Sequence, residues 1–228
     1  MDDASLIATL QLADSFFPSG TVTLSHGLET FVAKQPISAR EIQALLENYL
    51  HGKVTPSDLV AYAHAYRAAE GHSVEQLRAI DHQFTASLWA QDLRQASMRS
   101  GRALLHTAEP LIESLTLQQF ADDVRTGCSD GNAVVCFGLV CSLWQIPIRT
   151  GGITHLYTFA VSFLGAAMRL GCLGHRETQR ILLALRPQFS TLVDEALMRE
   201  LDEMSTFAPL ADIRAMQHAS LSVRLFAS

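Results

Sequence analysis

The stretch ISAREIQALLENYLHG, residues 37–52, decides the fold. Ser38 stands where a helix N-cap would, and Glu41 follows three residues on, the spacing of a reciprocal capping box. Ile42, Leu45, Leu46, Tyr49 and Leu50 then fall at i, i+3, i+4, i+7 and i+8, one apolar stripe of an amphipathic helix. Gly52 reads as its stop. The next segment, TPSDLVAYAHAYRAAEG (55–71), repeats the grammar, with Thr55 as cap, Pro56 in the first turn and Gly71 at the end.

Working outward, Ser73 opens a third helix, and a long one follows around SLWAQDLRQASMRSGRALLHT (87–107). There Leu93, Ser97, Gly101, Leu104 and Leu105 share a face, and the small pair Ser97 and Gly101 leaves room for another helix to approach closely. Further helices are predicted over 116–125, 131–144, 152–170, 176–186, 189–204 and 210–219. No period-two pattern of strand length and no internal repeat occurs. With no Pro/Gly/Ser-rich linker, the reading is all-α: a single-domain helical bundle of roughly ten helices over residues 1–228.

Composition excludes several function classes. Charged residues are 18% of the chain, against roughly 25% in ordinary soluble domains. That deficit fits either a large interaction surface or a well-buried core. The net charge is -6 and no basic stripe is present, which argues against nucleic-acid binding. Basic residues are 15 Arg and 2 Lys, Lys34 and Lys53. The four cysteines, Cys128, Cys136, Cys141 and Cys172, read as reduced, buried thiols of a cytosolic protein. The acidic start, MDDASLIATLQLAD, is not expected to be a secretory signal. The uncharged windows 131–148 and 150–168 are long enough to be weighed as membrane spans. Polar residues such as Asn132, Gln145 and His155 dilute them, so they are read as core or dimer-interface helices.

The search for chemistry nominates no active site. His64 sits between Tyr62 and Tyr66 without a ligand set. Cys172 and His175 have a Cys-x-x-His spacing, half of a metal site without a second half. Cys128 and Asp130 are placed at a helix start, where a thiolate would be favoured. Asp122 and Asp123, and the acidic residues of 194–203, read as solvated helix faces. Phosphate loops are missing. These residues describe a helical binding protein; the alternative is a cytosolic helical-bundle enzyme that binds a metal or cofactor, and a third reading is a membrane-associated helical protein.

Two segments stand out as binding elements. SFFPSGTVTLSHGLETF (15–31) packs two phenylalanines, a Pro-Ser-Gly turn and a lone histidine into one window. At the other end, SVRLFAS (222–228) exposes Arg224, Leu225 and Phe226 in a terminus, where residues are usually polar. Arginine and aromatics are common anchors, so the tail reads either as docking into a partner groove or as folding back on the chain's own core.

Five stretches in order, LQLADSFFPSGTVTLSHGLE (10–29), AQDLRQASMRSGRALL (90–105), NAVVCFGLVCSLWQIP (132–147), MRLGCLGHRETQRILLAL (168–185) and DIRAMQHASLSVRLFAS (212–228), resemble the urease accessory protein F (UreF) family over essentially the whole chain. The resemblance implies an all-α, non-catalytic homodimer in the cytoplasm. Such a chaperone binds accessory protein D (H in some species) and recruits the accessory GTPase G. Together they dock on apo-urease for nickel insertion, with modulation of the GTPase a further implied role. No cofactor of its own is implied: nickel belongs to the assembled complex and GTP to the partner.

The resemblance also implies site residues. Pro18, Ser19 and Gly20 would form a docking turn, with Val22 in the stretch after it, His26 as a polar contact rather than a metal ligand, and Gly27, Leu28 and Glu29 opening the next helix. Arg169 matches a basic position near the partner surface. Arg224 would order a C-terminal tail (about 209–228) that a partner holds, with Leu225 and Phe226 beside it and Arg214 and His218 in secondary roles. The chain departs from the family at Val22 and Leu24, where many members carry aromatics, at Cys172 and His175, and at Ala219.

Overall fold

The computed structural model describes residues 2–17, 24–33, 36–218 and Phe226, without the side chains at 210, 211, 215 and 218. Pro18, Gly20, Val22, Arg224, Leu225 and the ring of His218 therefore lie outside the described residues. The described chain is a single all-helical domain. In order come α1 (Asp3–Ala13), α2 (Leu28–Val32), α3 (Ala39–Tyr49), a π-helix (Leu50–Asp58), α4 (Leu59–Glu70) and α5 (Val74–Ser87). They are followed by α6 (Gln91–Ala108), α7 (Leu115–Thr126), α8 (Ala133–Leu143), α9 (Ile148–Arg169), α10 (His175–Leu197), a 3-10 turn (Leu201–Glu203) and α11 (Pro209–His218).

The capping box that opens α3 is formed: the Ser38 hydroxyl accepts from Glu41 N, and Glu41 Oε2 accepts from Ser38 N at 2.8 Å. The end of that helix differs from expectation. Gly52 does not stop it, and Thr55 and Pro56 do not restart one. Residues 39–70 run as one helical rod whose middle widens into the π-helix. Pro56 has no N–H to give, and Leu59 N reaches five residues back to Val54 O. The carbonyls of Gly52 and Pro56 point out of the rod and accept from Phe207 N at 2.7 Å and Ser205 N at 3.0 Å. A Cβ on Gly52 would stand 2.5 Å from Phe207 O, so glycine is there for the close approach and not as a terminator.

The second boundary to move is at Pro187. The helices read at 176–186 and 189–204 are one, α10, with Pro187 inside it. The N-terminal helix α1, capped by Asp2, was not marked by the sequence pattern.

The core forms where α4 crosses α8. Most of α4 is buried, Tyr62 completely, and its hydroxyl donates to Ile148 O at 2.8 Å, tying α4 to the start of α9. Ser97 and Gly101 do admit a close neighbour, the turn leading into α8. Ser97 Oγ accepts from Ala133 N at 3.2 Å, and a Cβ on Gly101 would meet Gly131 O at 2.0 Å.

That turn is held from the other side by Asp81 of α5, which is wholly buried. Its Oδ2 accepts from Ser129 Oγ and from the backbone N–H groups of Asp130 and Gly131 at 2.7–2.8 Å. Its Oδ1 accepts from the backbone and side-chain N–H groups of Asn132 at 2.9 and 2.8 Å. Nearby, Asp123 is not a solvated residue: Arg78 donates to both its oxygens at 2.6 and 2.9 Å, linking α5 to α7. Among the described residues no helix is long and apolar enough to cross a membrane.

Candidate functional site

A cleft of about 490 Å³ opens between the end of α1, the π-helix, α6, α8 and α9. Its walls are apolar and aromatic, with Phe17, Leu24, Phe137 and Phe159 among them. Deep in it lies an ion pair, Lys53 Nζ to Asp58 Oδ1 at 3.0 Å, with both side chains largely buried. The π-helix brings these two residues, five apart, onto one side.

Two histidines face the same cleft. The His26 ring lies 4.6 Å from Phe159 and that of His155 5.7 Å from Phe137. The Nε2 atoms of both are buried and have no hydrogen-bond partner among the described residues. Burial, reinforced by Lys53 and His155, pulls His26 down to about 3. Burial also lowers His155, against the pull of Asp58. Both rings are therefore neutral at pH 7.

That state has a measurable consequence. In the unfolded chain a histidine binds its proton near pH 6.5, so between there and about 3 the unfolded state holds more protons than the folded one, and stability falls as pH falls. The urea midpoint is expected to drop between pH 7.5 and 4.5, and the drop to shrink in a His26→Gln, His155→Gln double variant. An unchanged pH slope in that variant would show that the two rings do not carry it.

Around this cleft the candidate residues divide. His26 gives its carbonyl to the Tyr49 hydroxyl, and its ring packs inward instead of making a surface polar contact. Gly27 caps α2 with φ of 78°, and Glu29 is buried in the first turn of that helix, so the expected helix start at 27–29 is found. Arg169 ends α9 on the rim of the cleft, and its guanidinium lies 4.9 Å over the ring of Phe226. Phe226 is only 8% exposed, so at this residue the fold-back reading holds and the expected exposed anchor is corrected. The cation–π contact and the apolar burial together outweigh exposure of the ring. Arg214 stacks over Phe31 of α2 at 5.1 Å and donates to Gln217, which seats α11 on α2.

The histidines and the Lys53–Asp58 pair escaped sequence reading because they are spread over residues 26 to 155 with no motif between them. Only the lone histidine of the opening segment was a signal. The cysteine readings also need correction. Cys136 and Cys141 are buried and burial raises both thiols, but Cys128 is exposed and Cys172 only half-buried. Cys128 follows the C-terminus of α7, its N–H bonded to Asp123 O, and so lies at a helix end. Among the described residues no group of three or more His, Cys, Asp or Glu is placed to hold a metal ion, Cys172 and His175 included.

Comparison with known proteins agrees with the architecture. The family model UreF matches residues 37–186, from the entry to α3 into α10. The urease accessory protein UreF of Trichodesmium erythraeum (strain IMS101) is 36% identical over 228 residues, covering 100% of this chain and 98% of that protein. That of Nostoc sp. is 29% identical over 229 residues, with 100% and 98% covered. The UreF of Bacillus sp. (strain TB-90) is 26% identical over 224 residues, with 98% and 99% covered. Matched over more than half its length by the family model and end to end by such relatives, this helical chain belongs to the UreF family, whose members are accessory proteins of urease and not themselves enzymes.

Proposed function

We propose that the chain is a non-catalytic scaffold of urease maturation: a cytoplasmic homodimer that binds accessory protein D (H in some species) and recruits the accessory GTPase G. In this reading the assembly docks on apo-urease and nickel is inserted there as cargo of the complex. GTP stays with the partner, whose hydrolysis rate the scaffold modulates. The chain itself needs no cofactor.

The observation that carries the reading is an apolar surface where a monomer would have polar groups. Ile7 (64% exposed), Leu10 (61%) and Phe16 (94%) stand out from α1 and the segment after it. α1 packs on α9, which adds exposed Tyr157 and Val161 one turn apart. Exposed apolar groups gathered in this way mark interaction surfaces. With charged residues so sparse, α1 and α9 are the natural faces for a second copy, and the Arg169 rim is left for other partners.

The test is light scattering on a sizing column, with the full chain and a version ending at Ala208, each alone and mixed with the D-type and G-type partners. The truncation removes α11 and the tail but keeps Ser205 and Phe207, whose hydrogen bonds close the π-helix. The full chain is expected to run at twice its 25.0 kDa mass and to shift into a larger complex. The truncated form is expected to remain dimeric and to lose at least 10-fold in partner affinity. A monomer indifferent to both partners would sink the proposal.

A further inference from the structure

α10 carries most of its charges against its own dipole, Glu177 in the first turn excepted. Arg176 and Arg180 stand in its first two turns and Asp194 and Glu195 in its last, whereas the helix dipole favours acids at the start and bases at the end. The acidic end is neutralised locally. Arg149 donates to both oxygens of Asp194 at 2.7 and 3.0 Å, and Arg199 pairs with Glu195.

The arginines of its first half are less compensated, with Glu177 the one acid near them. Arg176, Arg180 and Arg186 are exposed and make no ion pair with a described residue. Glu177, the one carboxylate among them, is engaged in bonding Gly174 N at 2.8 Å. Between the arginines lies Leu183, 62% exposed, with Arg180 three residues before it and Arg186 three after, the spacing of neighbours on a helix surface. The face is thus an apolar centre flanked by three guanidinium groups that make no ion pair with a described residue, on a chain of net charge -6.

We propose that this face of α10, Arg176, Arg180, Leu183 and Arg186, docks an acidic protein surface that offers carboxylates around an apolar spot. Guanidinium groups hold carboxylates in paired hydrogen bonds, and an arginine rim around an apolar contact is a common interface composition. A polyanion is a poorer fit, because three arginines are a small footprint and the rest of the chain repels it at long range. The inference takes its probes from the proposed scaffold role, but its surface is separate from the Arg169 rim and from α1.

The test compares the full chain with R176E/R180E and L183S against the D-type partner, the G-type partner and apo-urease at 50 and 300 mM salt. Charge reversal at these positions agrees with the helix dipole, so the double variant should fold with an unchanged or higher melting temperature. It should nevertheless bind one of the three proteins at least 10-fold more weakly and with a shallower salt dependence, and L183S should weaken the same partner. If complexes form with wild-type affinity and salt slope in both variants, the face is solvated surface and this inference falls while the scaffold role stands. If no complex forms even with the wild type, the scaffold role falls with it. Arginine-dependent binding to vesicles containing phosphatidylglycerol, or to RNA, in place of any protein would also overturn it.

Discussion

Replacing Asp81 with alanine is expected to lower the unfolding free energy by on the order of 3–5 kcal/mol, the summed cost of leaving several buried donors without their charged acceptor. The carboxylate accepts from five donors that converge from residues 129–132, and for four of them it is the one acceptor among the described residues, Asn132 Nδ2 donating also to Thr85 Oγ1. Without it, three backbone N–H groups are left without an acceptor around a buried position, each carrying its own desolvation cost. Asparagine is expected to be nearly as harmful, since its NH₂ group must face donors whichever way the amide turns. Urea unfolding checks both. A midpoint for Asp81→Ala within experimental error of the parent would show that the turn is held by something else.

The second large effect is expected at Gly101, and its sign is informative. In the interior of an exposed helix, glycine to alanine normally stabilises by about 1 kcal/mol. Here the new methyl would meet Gly131 O at 2.0 Å, Asn132 C at 2.8 Å and Ala133 N at 2.9 Å, all backbone and unable to swing aside. Gly101→Ala is therefore expected to destabilise by about 3 kcal/mol, the upper range of overpacking. It pushes on the same turn that Asp81 holds, so the double variant should lose less than the sum of the two singles. A stabilised Gly101→Ala, or strict additivity, would refute the close approach.

These two sites show what was legible and why. The small pair Ser97 and Gly101 announced a close contact, because small residues one turn apart on a helix have few other uses. Asp81 was silent: its partners lie some 50 residues on, and an acid on a helix reads as solvated until the turn that wraps it is seen. The capping box at Ser38 was read correctly because it is closed within four residues. Gly52, Pro56 and Pro187 misled for a common reason. Local preference treats them as breaks, whereas tertiary partners sustain the helices through them. The tail divided in the same way, with Phe226 settled by a contact to Arg169, more than 50 residues away.

The π-helix has a consequence for how the protein is made. Its outward carbonyls at Gly52 and Pro56 find their donors, Phe207 and Ser205, about 150 residues further along the chain. Chains fold from the N-terminus as they emerge, and contacts across such separations form late. Until that later segment has emerged the widened turn stays hydrated, and the helical body can assemble around α4 and α8 with that seam open. Only then can the seam close, so the pair of hydrogen bonds that leads into α11 is a late fastening on a body already assembled.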